Sequence, residues 1–211
     1  MAKPLLILGG GGHASVLVDI LKEQGREILG VVAPVVESEH LRSYRHYTKD
    51  EDILLFKPSD VMLVNGIGSM PRDSLRQRIY CQFTESKYEF ETVIASSAIV
   101  STKATFAQGV QVLQGSIIQV GVKVMANTII NSGVIIEHDC HIGMHNHIAP
   151  GVTLSGGVNT ALNVHLGTGS IVIQNINIGE NVIVGAGAAV TKNINDNTIC
   201  FPARTVYKEL N

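Results

Sequence analysis

From Ile94 to Val190, every sixth residue reads Ile94, Val100, Phe106, Val112, Ile118, Val124, Ile130, Ile136, Ile142, Ile148, Leu154, Thr160, Leu166, Val172, Ile178, Val184, Val190. Sixteen of these seventeen are apolar, with no residue inserted or deleted along the run. The residue four places further on is mostly small or β-branched: Ala98, Ala104, Val110, Ser116, Val122, Thr128, Val134, Cys140, then Asn146, Val152, Val158, Val164, Ser170, Ile176, Val182, Ala188. A helix needs a period of 3.6 and a half-buried strand a period of 2, so neither produces this series. A fixed period of six fits a parallel β-helix, in which each hexad is one flat side and three hexads close one coil. The sixth residue points into a narrow prism and is apolar because it fills it. Its small partner sits at a corner where bulk would collide. Eighteen residues per coil predict about five coils, a column of roughly 25 Å at the inter-strand spacing of ~4.8 Å. Charge thins out accordingly: five charged residues lie in 94–190 (Lys103, Lys123, Glu137, Asp139, Glu180), against twenty-four in 1–93.

The preceding segment reads differently. Leu5–Leu8 is a buried-strand pattern, Gly9-Gly10-Gly11-Gly12-His13 follows at once, and Ala14–Gln24 carries Val16, Leu17, Ile20 and Leu21 at helical spacing before Gly25. Ile28–Val32 is a second strand, so the chain opens as a βαβ unit. Val61–Asn65 reads as a third strand, Gly66-Ile67-Gly68 as a turn, and Pro71 to about Gln82 as a helix. Residues 35–52 are polar and read as a surface connection with some local structure. The change of period and charge divides the chain into a Rossmann-like α/β domain, 1–92, and a β-helix domain, 93–211.

Composition narrows the classes of function. At 211 residues with a net charge of −2, the chain has no basic footprint for nucleic acid or an anionic membrane. Its apolar runs fall short of the ~20 residues a spanning helix needs. Cys81, Cys140 and Cys200 are odd in number and widely spaced, which points to packed thiols in a reducing cytoplasm.

Two stretches carry chemistry. A glycine turn between a first strand and a first helix lets backbone N–H groups approach a phosphate at the helix N-terminus. A purely structural tight turn is its alternative. The carboxylate that would bind a ribose after the second strand is replaced by Ala33-Pro34, with Glu37 and Glu39 beyond, which disfavours NAD and leaves a nucleotide-sugar. The second stretch is Glu137-His138-Asp139-Cys140-His141-Ile142-Gly143-Met144-His145-Asn146-His147; five of the eight histidines fall in 138–165. His138 lies two places after the inward Ile136 and is expected to face outward. Asp139 beside it can fix its tautomer and favour its protonated form, which makes the pair a candidate general base. His147 and His165 differ by eighteen and are expected to stack on adjacent coils. So many histidines also raise a metal site as an option, but their hexad positions offer no complete ligand set. Cys140 takes an inward corner position, unsuited to a nucleophile.

On these residues the chain resembles the hexapeptide-repeat acyltransferases, left-handed β-helix proteins. More narrowly, it resembles the subgroup of UDP-4-amino-sugar (bacillosamine-type) and perosamine N-acetyltransferases and sialic acid O-acetyltransferases. The matching motifs are Gly9-Gly10-Gly11-Gly12-His13-Ala14, Gly66-Ile67-Gly68 with Arg76, Ile136-Glu137-His138-Asp139, His147 before Gly151, and Pro202-Ala203-Arg204. The resemblance implies a homotrimer with active sites between subunits, acetyl-CoA in the groove between neighbouring β-helices, a nucleotide-sugar on the first domain, no metal, and a cytoplasmic role in surface glycan synthesis. Position by position, it implies His138 as base supported by Asp139, His147 near the thioester, Gly156 N–H as oxyanion donor, Thr168 and Ala186 against the cofactor, and Gly11, Gly12, His13 and Gly68 against the nucleotide-sugar. The implied reaction is acetylation of the 4-amino group of a sugar nucleotide of the UDP-4-amino-4,6-dideoxy-N-acetylglucosamine type. O-acetylation of a sialic acid, a γ-carbonic-anhydrase-like metal enzyme and a non-catalytic β-helix binding protein are the alternatives. Three departures stand out: Ala33-Pro34 replaces an acidic pair, Cys200 a glycine, and Asn146 interrupts the small-residue series.

Overall fold

The computed structural model describes residues 2–203. The chain begins with β1 (Leu5–Leu8), α1 (Gly12–Glu23), β2 (Ile28–Val32), β3 (His46–Tyr47), β4 (Met62–Asn65) and α2 (Leu75–Glu85). The four strands form one parallel sheet in the order β3-β2-β1-β4. β1 is fully buried, as its unbroken apolar run demands, and packs against Leu17, Val18, Ile20 and Leu21 of α1.

Three expectations need correction. Helix α1 starts at Gly12 and not Ala14, so the last glycine and His13 form its first turn. Helix α2 covers Leu75–Glu85 and not Pro71–Gln82. Arg72 takes φ +68°, the Asp73 N–H closes a turn onto Met70 O at 3.1 Å, and Asp73 Oδ1 accepts from the Leu75 N–H at 2.8 Å, which sets the helix start. The strand β3 is also more than the unspecified local structure expected after β2, its type being concealed by the polarity of 35–52.

From Val93 to Cys200 the chain forms two-residue strands along the faces of a triangular column, sorted into three parallel sheets of seven, six and five strands. Face one begins with Val93–Ile94, face two with Ile99–Val100 and face three with Thr105–Phe106. Successive coils pair at an offset of eighteen, as in Lys123 with His141 and His147 with His165. The sixth-residue series is buried from Val112 onward, and the corner series lines the same core. The corners need a left-handed residue, and they are supplied in columns. One corner uses only glycine (Gly115, Gly133, Gly151, Gly169, Gly187), while another uses Gly109 and then Asn127, His145, Asn163, Asn181 and Asn197. Both classes tolerate φ near +60°.

The two exceptions to the sequence pattern are partners. Asn146 Nδ2 donates to Thr160 Oγ1 at 2.5 Å, and Asn146 Oδ1 accepts from the Val164 N–H at 2.7 Å. Thr160 Oγ1 also takes the Gly143 N–H at 3.1 Å. A buried amide is tolerated here because its groups are satisfied. Asn146→Val is expected to cost about 1–3 kcal/mol, since it leaves buried polar groups unpaired. Adding Thr160→Val is expected to cost less than the two single changes summed, because the pair then becomes apolar together. Urea unfolding of the two single variants and the double variant measures this.

Candidate active site

The glycine turn becomes one wall of a cavity of about 540 Å³ lined by Gly9–Gly12, His13, Ala33, Pro34, Val35, Glu37, Asp50, Gly66, Ile67 and Gly68. Gly11, Gly12, His13 and Gly68 therefore share one cavity. Close packing explains the glycines on either side of it. A Cβ on Gly66 would lie 2.8 Å from the Ala14 Cβ, and Gly9 holds φ +113° with Gly66 C only 2.9 Å from where its Cβ would stand. Arg76 fixes the opposite wall: its Nη1 donates to Asn65 O and Ile67 O, both at 2.7 Å. The carboxylates missing at Ala33-Pro34 come from further along. The Glu37 N–H donates to Gly10 O at 3.0 Å, folding Glu37 back over the turn, and Asp50 reaches the cavity from beyond β3. Sequence reading missed Asp50, since nothing local marks it.

A polar seam joins this domain to the β-helix. His13 Nε2 lies 2.8 Å from Gln111 Oε1, Gln111 Nε2 donates to Asn65 O at 2.8 Å, and Asn65 Nδ2 donates to Asn127 Oδ1 at 3.1 Å. Asn127 Nδ2 then donates to His145 Nδ1 at 2.9 Å, and the His145 ring meets Tyr80 edge-on at 5.5 Å. Gln111, Asn65 and Asn127 are all buried. Burial, with the Arg76 guanidinium nearby, pushes His13 and His145 down to about 4. Burial, followed by the neighbouring His165, His13 and Arg76, pushes His147 to about 3. The unfolded chain binds protons at these groups below the ordinary imidazole value of about 6.5, while the folded chain resists until near the lowered values. Stability is therefore expected to be full above about pH 7 and to fall as pH drops through 6.5 toward 4. His145→Asn, which matches the other members of its corner column, is expected to flatten part of that slope in urea titrations across pH.

His138 stands at the corner between faces two and three, with its side chain 61% exposed. Asp139 occupies the left-handed corner position at φ +60°, which turns its carboxylate back toward the preceding ring, and His138 Nδ1 lies 3.0 Å from Asp139 Oδ2. Nδ1–H donates to the carboxylate and Nε2 is left with its lone pair. One coil above, Gly156 lies against the ring: a Cβ there would stand 2.5 Å from His138 Nε2. The Ser155 and Gly157 N–H groups bond to Val172 O and His138 O, whereas among the described residues the Gly156 N–H has no backbone partner.

The other expected site residues lie elsewhere. His147, Thr168 and Ala186 line a groove of about 370 Å³ along face one and its corner with face two, together with His165 and the Ser69–Pro71 loop. His147 and His165 stack edge-to-face at 4.9 Å, as their spacing of eighteen requires. Asn131 Oδ1 accepts the Ser132 N–H at 2.8 Å, so Asn131 Nδ2 is the donor facing His147 Nε2 at 3.2 Å. His147 therefore carries its proton on Nδ1, which is buried with the Ser69 backbone beside the ring. His141 points out of face three, and its Nδ1 contacts Asp139 O at 3.2 Å. Cys140 is buried with its thiol donating to Ser155 O, and burial pushes it up to about 11. Among the described residues no three His, Cys, Asp or Glu side chains gather to hold a metal ion, and no helix is long and apolar enough to cross a membrane. Arg204 lies outside the described residues.

Face two thus separates the His138 corner from the groove corner within one chain. Its outward residues are Ile99 (67% exposed), Ile117, Ile135, Thr153, Ile171 (49% exposed) and Ala189. Those of face three are Thr105, Lys123, His141, Asn159 and Asn177.

Residues 4–83 match the PglD N-terminal domain family, and residues 121–156 match the bacterial transferase hexapeptide (six repeats) family. PerB from Caulobacter crescentus, solved with CoA and GDP-perosamine, is 28% identical with a TM-score of 0.85, over 95% of each chain. The acetyltransferase domain of PglB from Neisseria gonorrhoeae, solved with acetyl coenzyme A, shares the fold at 22% identity and a TM-score of 0.86, over 97% of this chain and 99% of that one. WeeI from Acinetobacter baumannii shares it at 16% identity and 0.72, over 94% and 96%. The chain thus joins a PglD N-terminal domain to bacterial transferase hexapeptide repeats, and it shares the left-handed β-helix architecture of PerB and the PglB acetyltransferase domain along nearly its whole length.

Proposed function

We propose that the protein transfers the acetyl group of acetyl-CoA to the 4-amino group of a nucleotide-linked amino-deoxy sugar. The observation that carries this reading is the exposed His138–Asp139 pair, with its ring against Gly156, in a chain that also holds a glycine-walled cavity. The reaction fits direct transfer. The sugar amine attacks the thioester carbon, and His138 Nε2 takes its proton while Nδ1–H stays on Asp139. The Gly156 N–H holds the developing oxyanion, the C–S bond breaks, and the imidazolium returns the proton to the departing thiolate.

The site is completed by a second copy. Face two is the apolar side of the column, and its two edges carry the base and the groove. Packing three copies with face two around a threefold axis sets each His138 corner beside the groove corner of its neighbour, in a closed heterologous ring. Acetyl-CoA then lies between subunits, against His147, Thr168 and Ala186.

The nucleotide is the open choice. The UDP-4-amino-4,6-dideoxy-N-acetylglucosamine type is the starting assignment, and the likeness to a GDP-perosamine complex together with Ala33-Pro34 favours testing a GDP sugar beside it. Thiol release from acetyl-CoA is measured with UDP-, GDP- and dTDP-4-amino sugars and with sialic acid. Turnover with one 4-amino sugar nucleotide is expected. Turnover with sialic acid alone would reassign the reaction to O-acetylation.

A further inference from the structure

The seam between the domains fixes more than their packing. Gln111 is fully buried, on an outward position of face one that the first domain covers. Its amide orientation is determined, because Nε2 must donate to the backbone carbonyl of Asn65, which leaves Oε1 as the group facing His13. An oxygen acceptor there requires a proton on His13 Nε2. The ring is neutral, as burial and the nearby Arg76 dictate, so Nδ1 is bare. Nδ1 is the ring nitrogen left free on a residue that lines the cavity, and it is not among the buried unpartnered atoms.

Resting on the reading of the cavity as a nucleotide-sugar site, we propose that Gln111 is a specificity-determining positioning residue: it holds His13 as a hydrogen-bond acceptor, so that His13 reads an O–H or N–H group of the ligand and does not serve its phosphates. A glycine turn followed by a histidine invites the opposite assignment, an imidazolium paired with pyrophosphate. The phosphates are left to the backbone N–H groups of the turn at the start of α1. The donor that His13 reads belongs either to the nucleoside or to the sugar.

Two measurements test this. Histidine nitrogen spectra of the wild-type protein are expected to show His13 protonated at Nε2 and bare at Nδ1, unchanged between about pH 6 and pH 8, where a free imidazole would titrate. A protonated Nδ1 overturns the proposal without any variant. In Gln111→Glu, a carboxylate opposite Nε2 draws a second proton onto the ring and converts Nδ1 into a donor. Affinity for the sugar nucleotide is then expected to fall about tenfold at the acid end, the scale of one lost hydrogen bond, and to recover toward the alkaline end. If His13 met phosphate, the same variant would bind more tightly in acid, and that result sinks the idea. Glu37 and Asp50 of the cavity, Arg76 and His147 also face this region, so each variant curve is read against the wild-type curve for the same ligand. Nucleoside diphosphates are titrated beside their sugar conjugates. A loss in both places the donor on the nucleoside, and a loss only in the conjugates places it on the sugar. If the wild type binds none of them, the reading of the cavity falls and this inference with it, whatever the tautomer.

Discussion

Replacing His138 with alanine is expected to lower turnover by about 10²–10⁴-fold, the range supplied by a positioned general base, while CoA binding survives. The ring is more exposed than buried and supports no core residue, so the fold loses little. The neutral amine is the form that attacks, and without a base the proton on its nitrogen has no acceptor as the C–N bond forms. Steady-state kinetics with a calorimetric titration of CoA measures both halves of the claim. Turnover near the wild-type value would remove His138 from the chemistry and leave the corner a structural turn.

Gly156→Ala is expected to have the second-largest effect, a loss of roughly 10²-fold in turnover, comparable to removing an oxyanion donor. Gly156 does not sit in the left-handed region, so alanine is compatible with its backbone. Its methyl group would stand 2.5 Å from His138 Nε2 and 2.6 Å from Cε1. The mobile imidazole gives way and the backbone does not. The base swings off the acceptor nitrogen while the acyl oxygen meets a methyl group beside its donor. A melting temperature close to wild type with lost turnover supports this account. Retained turnover would mean that the ring works from another rotamer.

The column was legible in the sequence because its period is rigid: a prism one side chain wide tolerates only apolar residues at every sixth place. Its exceptions were legible as exceptions, but the Asn146–Thr160 pairing was not, since the two are fourteen apart in sequence and meet only through the coil. His138 and Asp139 could be singled out because charge is scarce where they stand. The start of α1 was misplaced because glycine carries no helical signal even where it forms the first turn. Gln111 gave no signal either, because an outward polar residue reads as solvated until another domain covers it. Asp50 lies forty residues from the glycine turn and reaches the cavity only through the order of strands in the parallel sheet. The separation of His147, Thr168 and Ala186 from His138 follows from which face each hexad occupies, information that the repeat contains and that becomes spatial once three faces are assigned.

The pitch of eighteen has a consequence for inactivation. His138 and Gly156 are one coil apart, so the proposed base and its proposed oxyanion donor belong to consecutive rungs of a one-dimensional stack and are held at a distance set by the ladder between them. In such a stack the ends fray first and the middle exchanges its amides last. Both residues lie in the interior of the column, with coils on either side. Amide exchange at Gly157, whose N–H closes the rung onto His138 O, therefore reports directly on the catalytic spacing. Loss of activity on warming is expected to follow opening of that rung and not the earlier loosening of the terminal coils.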